Sequence, residues 1–496
     1  MIEQIPLINL LILVTTALFM PLIRKFDFRY TKVLGLVSFL AVFILSIISF
    51  YDVYTNGMFY YHLGGHAPFI GIEFRIDAFS SFFTLFIGFM MLLYYIYAVR
   101  YMFHEIKGKQ HNRYYTIVFL LVFASFGLIY TNDLFNTYVF IEIMSITACA
   151  IISIVRKKQN YSAAFRYLVL NEIGSLSYLF GVALIYMITG YTNIELVAQA
   201  LEEGYLLYPA NVFIAMAFMV VGLSIKAAIF PLHIWLPDAH STAPIPSHAI
   251  LSAVVLKVNL IVLIKLLYRV FGVQILLDLH MNTVLIVFGI LSMIMGSFFA
   301  LAQKDIKRIL AYSSVAQVGY IVLGIGFLTE LGLYAGLFHI VSHGIMKSTL
   351  FLSAGMIIYH TGVRNTKKYQ GFVHILPITI TLMSIATLSM IGIPGTSGFI
   401  SKFNLAMASL DENMGYIIIF IVLSGLLNAM YYLPMIITSI LDNHESNMMH
   451  YEVDKIPKTM LIPVMVLGAL ILVIGFYPQS ITFFIEAATD ALIGGV

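Results

Sequence analysis

The 496-residue chain has one cysteine, one tryptophan and few charges. A lone Cys149 excludes disulfides within the chain, Fe–S clusters and cysteine-rich zinc sites. Only 10% of residues are charged, against roughly 25% in an ordinary soluble domain. That rules out a soluble enzyme and a disordered segment. The 27 basic and 24 acidic residues leave a net charge of only +3, so no basic surface calls for nucleic acid. No GxxxxGKS/T or GxGxxG loop is present to cradle a nucleotide. What remains is apolar: 61% of the residues are hydrophobic and 14% aromatic, a composition for a lipid bilayer.

A helical span needs about 20 mostly apolar residues. Fourteen such stretches are expected, near 5–23, 33–51, 78–99, 114–130, 134–155, 162–190, 209–230, 246–268, 281–301, 309–328, 332–359, 375–400, 415–440 and 459–484. The fold class is therefore an all-α polytopic membrane protein. The first stretch carries Glu3 before it and basic residues after it, the reverse of a signal peptide, so it is expected to stay as a helix.

Basic residues cluster in alternate loops: Arg24, Lys25, Arg29 and Lys32; Arg100, Lys107, Lys109 and Arg113; Arg156, Lys157, Lys158 and Arg166; Lys304, Lys307 and Arg308; Arg364, Lys367 and Lys368; Lys455 and Lys458. The intervening loops carry Asp52, Glu73, Asp77, Asp133, Glu195, Glu330 and Asp411. Positive loops stay inside, so both termini are expected outside, in a multi-pass arrangement suited to a cell membrane.

Lys226, Lys257, Lys347 and Lys402 fall within the apolar spans, with Glu142 and Glu172. Lys265 and Arg269 stand near the outer end of the eighth span, where they are expected to snorkel to the interface. One lysine at a helix centre costs about 2.5–3.5 kcal/mol, so four facing lipid would cost roughly 10 kcal/mol or more. They must point inward. Ions paired between helices are one reading, but bases exceed acids two to one. Burial penalises the charged amine, so an unpaired lysine can exchange a proton near neutral pH, as a relay requires. His339, His343 and Lys347 recur at helical spacing on one face. Imidazole can take a proton on one nitrogen and release one from the other. The competing readings of this stripe are a metal-ligand pair and histidines hydrogen-bonded to neighbouring helices.

Two spans are broken at corresponding places. The seventh carries Lys226 shortly before Pro231, and the twelfth carries Pro394 and Gly395 before Lys402. Proline frees backbone carbonyls, and such breaks persist in a membrane only where they line a cavity or pack in protein. Breaks in two corresponding halves suggest an inverted repeat of five helices. The expected divisions are 1–110 (helices 1–3), 111–270 (helices 4–8), 271–445 (helices 9–13) and 446–496 (helix 14). The loop between the seventh and eighth spans holds Trp235, three prolines, His240 and His248. It reads either as a re-entrant or interfacial element with relay histidines, or as a rigid connector with an aromatic belt residue.

PLHIWLPDAHSTAPIPSHAILSAVVLK resembles the most recognisable stretch of the antiporter-like subunits of respiratory complex I. KDIKRILAYSSVAQVGY, HIVSHGIMKSTLFLSAG and IGIPGTSGFISKF resemble three further signatures of that family, over roughly residues 70–440. The family includes the A and D subunits of Mrp-type sodium/proton antiporters and subunits of membrane-bound hydrogenases and formate hydrogenlyases. Chain length and the Ser-Lys of the last signature look most like the Mrp D subunit or its hydrogenase counterpart.

The resemblance implies roles. Glu142 and Lys226 would form a gating ion pair. Lys257 would bridge at the centre, His339, His343 and Lys347 would form a polar axis, and Lys402 would release the proton. Glu172 matches no such role and is left as a candidate relay group or a residue paired with a neighbouring helix. The resemblance implies proton translocation, with sodium a candidate counter-ion, beside other membrane subunits. No cofactor is implied, and whether an ion gradient or redox chemistry drives transport is left open, as is a non-conducting scaffold role.

Overall fold

The computed structural model describes residues 2–23, 28–66, 68, 71–106, 110–441 and 456–494. Arg24, Lys25, Lys107, Lys109 and Lys455 lie outside the described residues. Helices α1 (Ile5–Ile23) and α2 (Phe28–Asn56) are followed by a two-stranded antiparallel hairpin, β1 (Phe59–His62) with β2 (Glu73–Ile76), which pairs Phe59 with Ile76 and His62 with Glu73. The hairpin is a small departure from the all-α expectation. Helices α3 (Ala78–Glu105), α4 (Gln110–Tyr130), α5 (Leu134–Ser153) and α6 (Lys158–Thr189) follow. A surface helix α7 (Ile194–Gly204) leads to α8 (Pro209–Lys226), the short α9 (Leu236–Thr242) and the long α10 (Ile245–Asp278). The second half holds α11 (Met281–Leu301), α12 (Ile306–Gly326) and α13 (Glu330–Thr361). Next come α14 (Pro377–Ile391), α15 (Ser397–Asp411), α16 (Ile417–Ile440), α17 (Lys458–Phe476) and α18 (Gln479–Ile493).

Thirteen helices are long and apolar enough to cross a membrane, and α14 is a shorter apolar helix. The expected fourteenfold count is met when α14 and α15 are taken as two halves of one broken span. The expected last span, 459–484, is shorter: α17 stops at Phe476, and α18 starts anew after Pro478.

Burial sorts the helices. The most apolar windows of α10 and α13 are wholly inside the protein, and that of α12 is 94% inside. Those of α2, α6 and α16 are under 40% buried, with Ile44, Phe165, Met187 and Ile419 turned outward. A helix apolar on all sides suits either position, so polar residues decide which is central. Lys257, Gln317, His339, His343 and Lys347 all lie on the three central helices and all are buried. Close crossings hold the scaffold. A Cβ on Gly319 would stand 2.6 Å from the Gly289 carbonyl oxygen, so α11 and α12 meet backbone to backbone.

Two stretches match element for element. Asp133 caps α5, α6 runs for 32 residues to Gly190 (φ 76°), and Asn193 bridges back to Asp133. Asp305 caps α12, α13 runs for 32 residues to Gly362 (φ 71°), and Asn365 bridges back to Asp305.

On the acidic face, charged groups tie the hairpin to the bundle. Asp77 caps α3 and accepts from Arg75 Nε at 3.0 Å and from Arg269 of α10. Arg75 also donates to Glu195 at 2.9 Å, and Glu195 accepts from the Tyr60 hydroxyl at 2.6 Å. Burial and the neighbouring Glu195 carboxylate push the Tyr60 phenol up to about 12. Lys265 Nζ reaches the last carbonyls of α4 and its exit, Leu128 at 3.3 Å, Ile129 at 3.0 Å and Thr131 at 2.5 Å. Lys265 and Arg269 thus do not snorkel to the interface. Both are buried, because unpaired helix-end carbonyls and Asp77 offer better partners than lipid headgroups.

Burial opposes ionisation of Asp77, but the Arg269 and Arg75 guanidiniums outweigh it and hold the carboxyl below the usual aspartate range. Its stabilisation is complete above that range and is lost only as pH falls below it. Asp77→Asn should lower unfolding stability by about 3–5 kcal/mol. The loss should be the same at about pH 7 and about pH 5, measured by thermal unfolding in detergent, since Asp77 stays ionised over that interval. A loss confined to the higher pH would contradict the assignment.

Candidate functional site

The site begins where α8 fails. The helix ends at Lys226, and the chain turns through 227–235 with Ala228 in the left-handed region (φ 54°). Pro231 lies within this turn, as expected for the break. The loosened carbonyls are satisfied from elsewhere: Trp235 Nε1 donates to Ile225 O at 2.8 Å, and Asn259 Nδ2 to Lys226 O at 3.3 Å. Trp235 is 2% exposed, so it is an interior anchor and not a belt residue. Its segment and α9 bury Trp235 and His240 on one side, while Ile234 is 70% exposed and Asp238 pairs with Arg166 at 2.6 Å on the other.

Lys226 is buried, and its ammonium donates to Ser145 Oγ of α5 at 2.7 Å. Glu142 stands one turn earlier on α5. Among the described residues no ion pair joins it to Lys226. Instead Glu142 and Glu172 of α6 both act on Lys226 through space, and Glu142 Oε1 is buried with no hydrogen-bond partner among the described residues. Glu172, expected only as a candidate relay group or a helix-pairing residue, thus stands with Glu142 beside the first buried lysine.

Lys257 owes its place to irregular helix. Over Leu251–Val255, α10 widens into a π-turn, and the Leu256 N–H reaches back to Leu251 O. In a regular helix that N–H would serve Ser252 O. The freed Ser252 carbonyl accepts Lys257 Nζ at 2.7 Å. No direct hydrogen bond joins Lys226 to Lys257 among the described residues. Their link is α10 itself, which carries both Lys257 and the Asn259 that holds the Lys226 carbonyl.

On α13, His339, His343 and Lys347 share one fully buried face. His339 Nδ1 contacts Ser401 Oγ at 2.8 Å and Nε2 contacts Gln317 Oε1 at 3.1 Å. The His339 and His343 rings stack with centroids 5.9 Å apart, and neither His343 nitrogen has a protein partner. Lys347 Nζ donates to Leu310 O at 2.7 Å, to Ser313 Oγ and, at 3.5 Å, to the Tyr432 hydroxyl. Among the described residues no three His, Cys, Asp or Glu side chains are grouped to hold a metal.

The second break separates α14 from α15 at 392–396, where Gly392 and Gly395 have φ 97° and 84° and Pro394 lies between them. Lys402 of α15 folds back over it. Its ammonium caps the carbonyl end of α14, donating to Met390 O at 2.8 Å and Ile391 O at 3.0 Å, where the helix dipole favours a cation. Asn428 Nδ2 reaches Met390 O at 3.3 Å, as Asn259 does at the first break.

A mouth opens on the basic face. A cavity of about 460 Å³ is lined by Glu105, Lys157, Asn160, Lys307 and Arg364. Lys307, expected in a loop, lies in the first turn of α12, is 6% exposed and donates to Ala243 O at 3.2 Å. His248 Nε2 contacts that same carbonyl. The His240 ring lies 5.8 Å from His248, is fully buried and has no hydrogen-bond partner on either nitrogen. The two histidines expected as relay groups are thus one carbonyl away from Lys307, which lines the cavity. Lys307 was missed because a basic residue at a span end looks like a loop charge. Ser145, Ser252, Gln317 and Ser401 were missed because neutral polar residues give no signal of their own.

Fold and site together define an antiporter-like, multi-pass membrane protein with an interior row of ionisable groups. The profile of the NADH:quinone oxidoreductase/Mrp antiporter transmembrane family matches residues 131–428, and the chain belongs to that family. It is 33% identical to the N subunit of the NADH-quinone oxidoreductase of Desulforudis audaxviator, over 97% of each chain. It is 31% identical to the D subunit of the Na(+)/H(+) antiporter of Alkalihalophilus pseudofirmus, over 92% of this chain and 91% of that one. Among solved structures it is similar to a chain of the membrane-bound sulfane sulfur reductase, an archaeal respiratory membrane complex. That likeness has a TM-score of 0.90 at 28% identity and covers 99% of this chain and 98% of the other. In fold it is similar to a chain of the Mrp complex from Dietzia sp. DQ12-45-1b, with a TM-score of 0.89 at 23% identity over 100% and 98% of the chains.

The two asparagines at the breaks give a test. Asn259→Val leaves the buried Lys226 carbonyl short of a donor and should cost about 1–3 kcal/mol, while Asn428→Val, where Lys402 still holds the Met390 carbonyl, should cost no more than that. Thermal unfolding in detergent measures it. Unchanged unfolding in both variants would show that the breaks are held by other groups.

Proposed function

We propose that the chain is the proton-translocating subunit of a multi-subunit cation/proton antiporter of the Mrp sodium/proton-exchanging type. One observation carries this reading. Each of Lys226, Lys257, Lys347 and Lys402 is buried, and its Nζ is held by carbonyl or hydroxyl oxygens and not by a carboxylate. An ammonium has three N–H donors and a neutral amine keeps two. The same oxygen can therefore hold either form, and protonation can change without breaking the contact.

In this reading protons pass by Glu142 and Lys226 to Lys257, with a branch from the basic-face cavity past Lys307, His248 and His240, and then along the α13 face, Lys347, His343 and His339, to Lys402 beside Ser401. The carboxyl pair Glu142 and Glu172 sets the charge state of Lys226 and gates the first half. Repulsion between neighbouring ammonium groups in a low-dielectric interior couples one step to the next. Water bridges complete the row at the partnerless nitrogens of His343 and His240. The chain makes and breaks no covalent substrate bond. The matching stretches around Asp133–Asn193 and Asp305–Asn365 support reading 111–270 and 271–445 as two five-helix units, flanked by 1–110 and 446–496. An odd number of crossings inverts one unit relative to the other.

A second reading, a pumping subunit of a redox-driven complex, is favoured by the 33% identity to a quinone oxidoreductase subunit and by the likeness to the sulfane sulfur reductase. The two share the chain's own chemistry and differ in the partners that supply energy. Membrane subunits co-purifying in mild detergent separate them: small antiporter subunits support the first, Fe–S proteins the second.

Glu142→Ala, Lys226→Ala and Lys257→Ala should each cut transport by the assembled complex in vesicles to below about a tenth, with assembly retained. Full transport by the first two would rule out the gating group, and full transport by Lys257→Ala would break the row at its centre. Normal transport with impaired assembly in all three would leave a scaffold.

A further inference from the structure

On the basic face, away from the cavity beside Lys307, lies a separate groove of about 420 Å³. Its walls come from the end of α1, the start of α4, the end of α5 and the start of α6. Pro21, Ile117 and Ile154 give it an apolar lining, and Arg113 and Arg156 stand along it. Both arginines are exposed, and among the described residues neither pairs with a carboxylate. Thr116 Oγ1, also in the groove, is buried without a hydrogen-bond partner. Tyr161, 52% exposed, stands at the same level. The helices that supply Pro21 and Tyr161 also turn apolar side chains outward within a turn of them: Leu18 and Leu22 of α1 are 65% and 54% exposed, and Phe165 of α6 is 67% exposed.

We propose that this groove binds the headgroup of an anionic glycerophospholipid, with acyl chains lying along Leu18, Leu22 and Phe165. The two guanidiniums match a phosphate, whose oxygens accept in pairs from their planar donors. Thr116 offers a hydroxyl donor to an ester or glycerol oxygen. A basic pocket between transmembrane helices on the positive side is where anionic headgroups are recognised. The apolar wall running toward lipid-facing side chains favours a lipid over free phosphate. Pinning the ends of α1, α4, α5 and α6 together, the lipid would brace α5 and α6, which carry Glu142 and Glu172.

The test uses the full chain with whatever partners co-purify, in mild detergent, by native mass spectrometry with added phosphatidylglycerol or phosphatidylcholine. Wild type should retain phosphatidylglycerol and not phosphatidylcholine. Arg113→Gln with Arg156→Gln should lower phosphatidylglycerol retention about ten-fold or more. Arg113→Lys with Arg156→Lys should keep most of it, and Lys158→Gln on the adjacent surface should leave it unchanged. Undiminished retention in the double glutamine variant, with unchanged thermal unfolding, would overturn the proposal. So would equal retention of phosphatidylcholine, or displacement of phosphatidylglycerol by inorganic phosphate at equal concentration. A crosslink from a cysteine at Ile117 to a partner protein in place of lipid would also overturn it.

Discussion

A buried lysine must find oxygen, and in this protein the oxygen is neutral. Lys257 takes a carbonyl freed by a π-turn, and Lys402 takes carbonyls left at the end of α14. Lys265 takes those at the end of α4, and Lys307 takes one from the link between α9 and α10. The irregular backbone and the buried amines therefore answer the same constraint. A helix that breaks inside a bilayer leaves carbonyls without donors, and an amine without a carboxylate needs acceptors. Each defect satisfies the other. A row built this way can change its charge without coming apart, which carboxylate-paired lysines could not do at comparable cost.

The two halves use this device differently. At the first break the lysine stands on the helix that ends and turns to Ser145, within the field of two carboxyls. At the second, Lys402 reaches back from the helix that begins, and its oxygens are all backbone. An asparagine from a following helix steadies each break, Asn259 in one and Asn428 in the other. Carboxyls thus stand at the first break, and among the described residues none holds the ammonium of Lys402 at the second.

Much of this was legible in the sequence. Four lysines inside apolar runs are conspicuous because their insertion cost must be met somewhere, and each break is marked by a proline near a lysine, with Gly395 added at the second. The span count held because hydropathy and loop charge agree. What was hidden depends on tertiary neighbours. Glu172 gains meaning only beside Glu142, and the π-turns leave no mark in Leu251–Val255 or Leu266–Phe271 that separates them from ordinary helix. Lys265, Arg269 and Lys307 lie at the ends of spans, where a snorkelling residue and a capped interior one have the same local sequence. Ser145 and Ser252 are common residues whose part is visible only once an ammonium lies against them.

The central claim is that these groups form one continuous hydrated path rather than separate buried ions. A density map of the assembled complex that resolves ordered water tests it most directly. A continuous path requires water between Lys226 and Lys257, at His343 and His240, and from His339 toward Lys402, each molecule with about two to four polar partners. A dry apolar barrier between Lys226 and Lys257, or around His343, present in every resolved state, would contradict it.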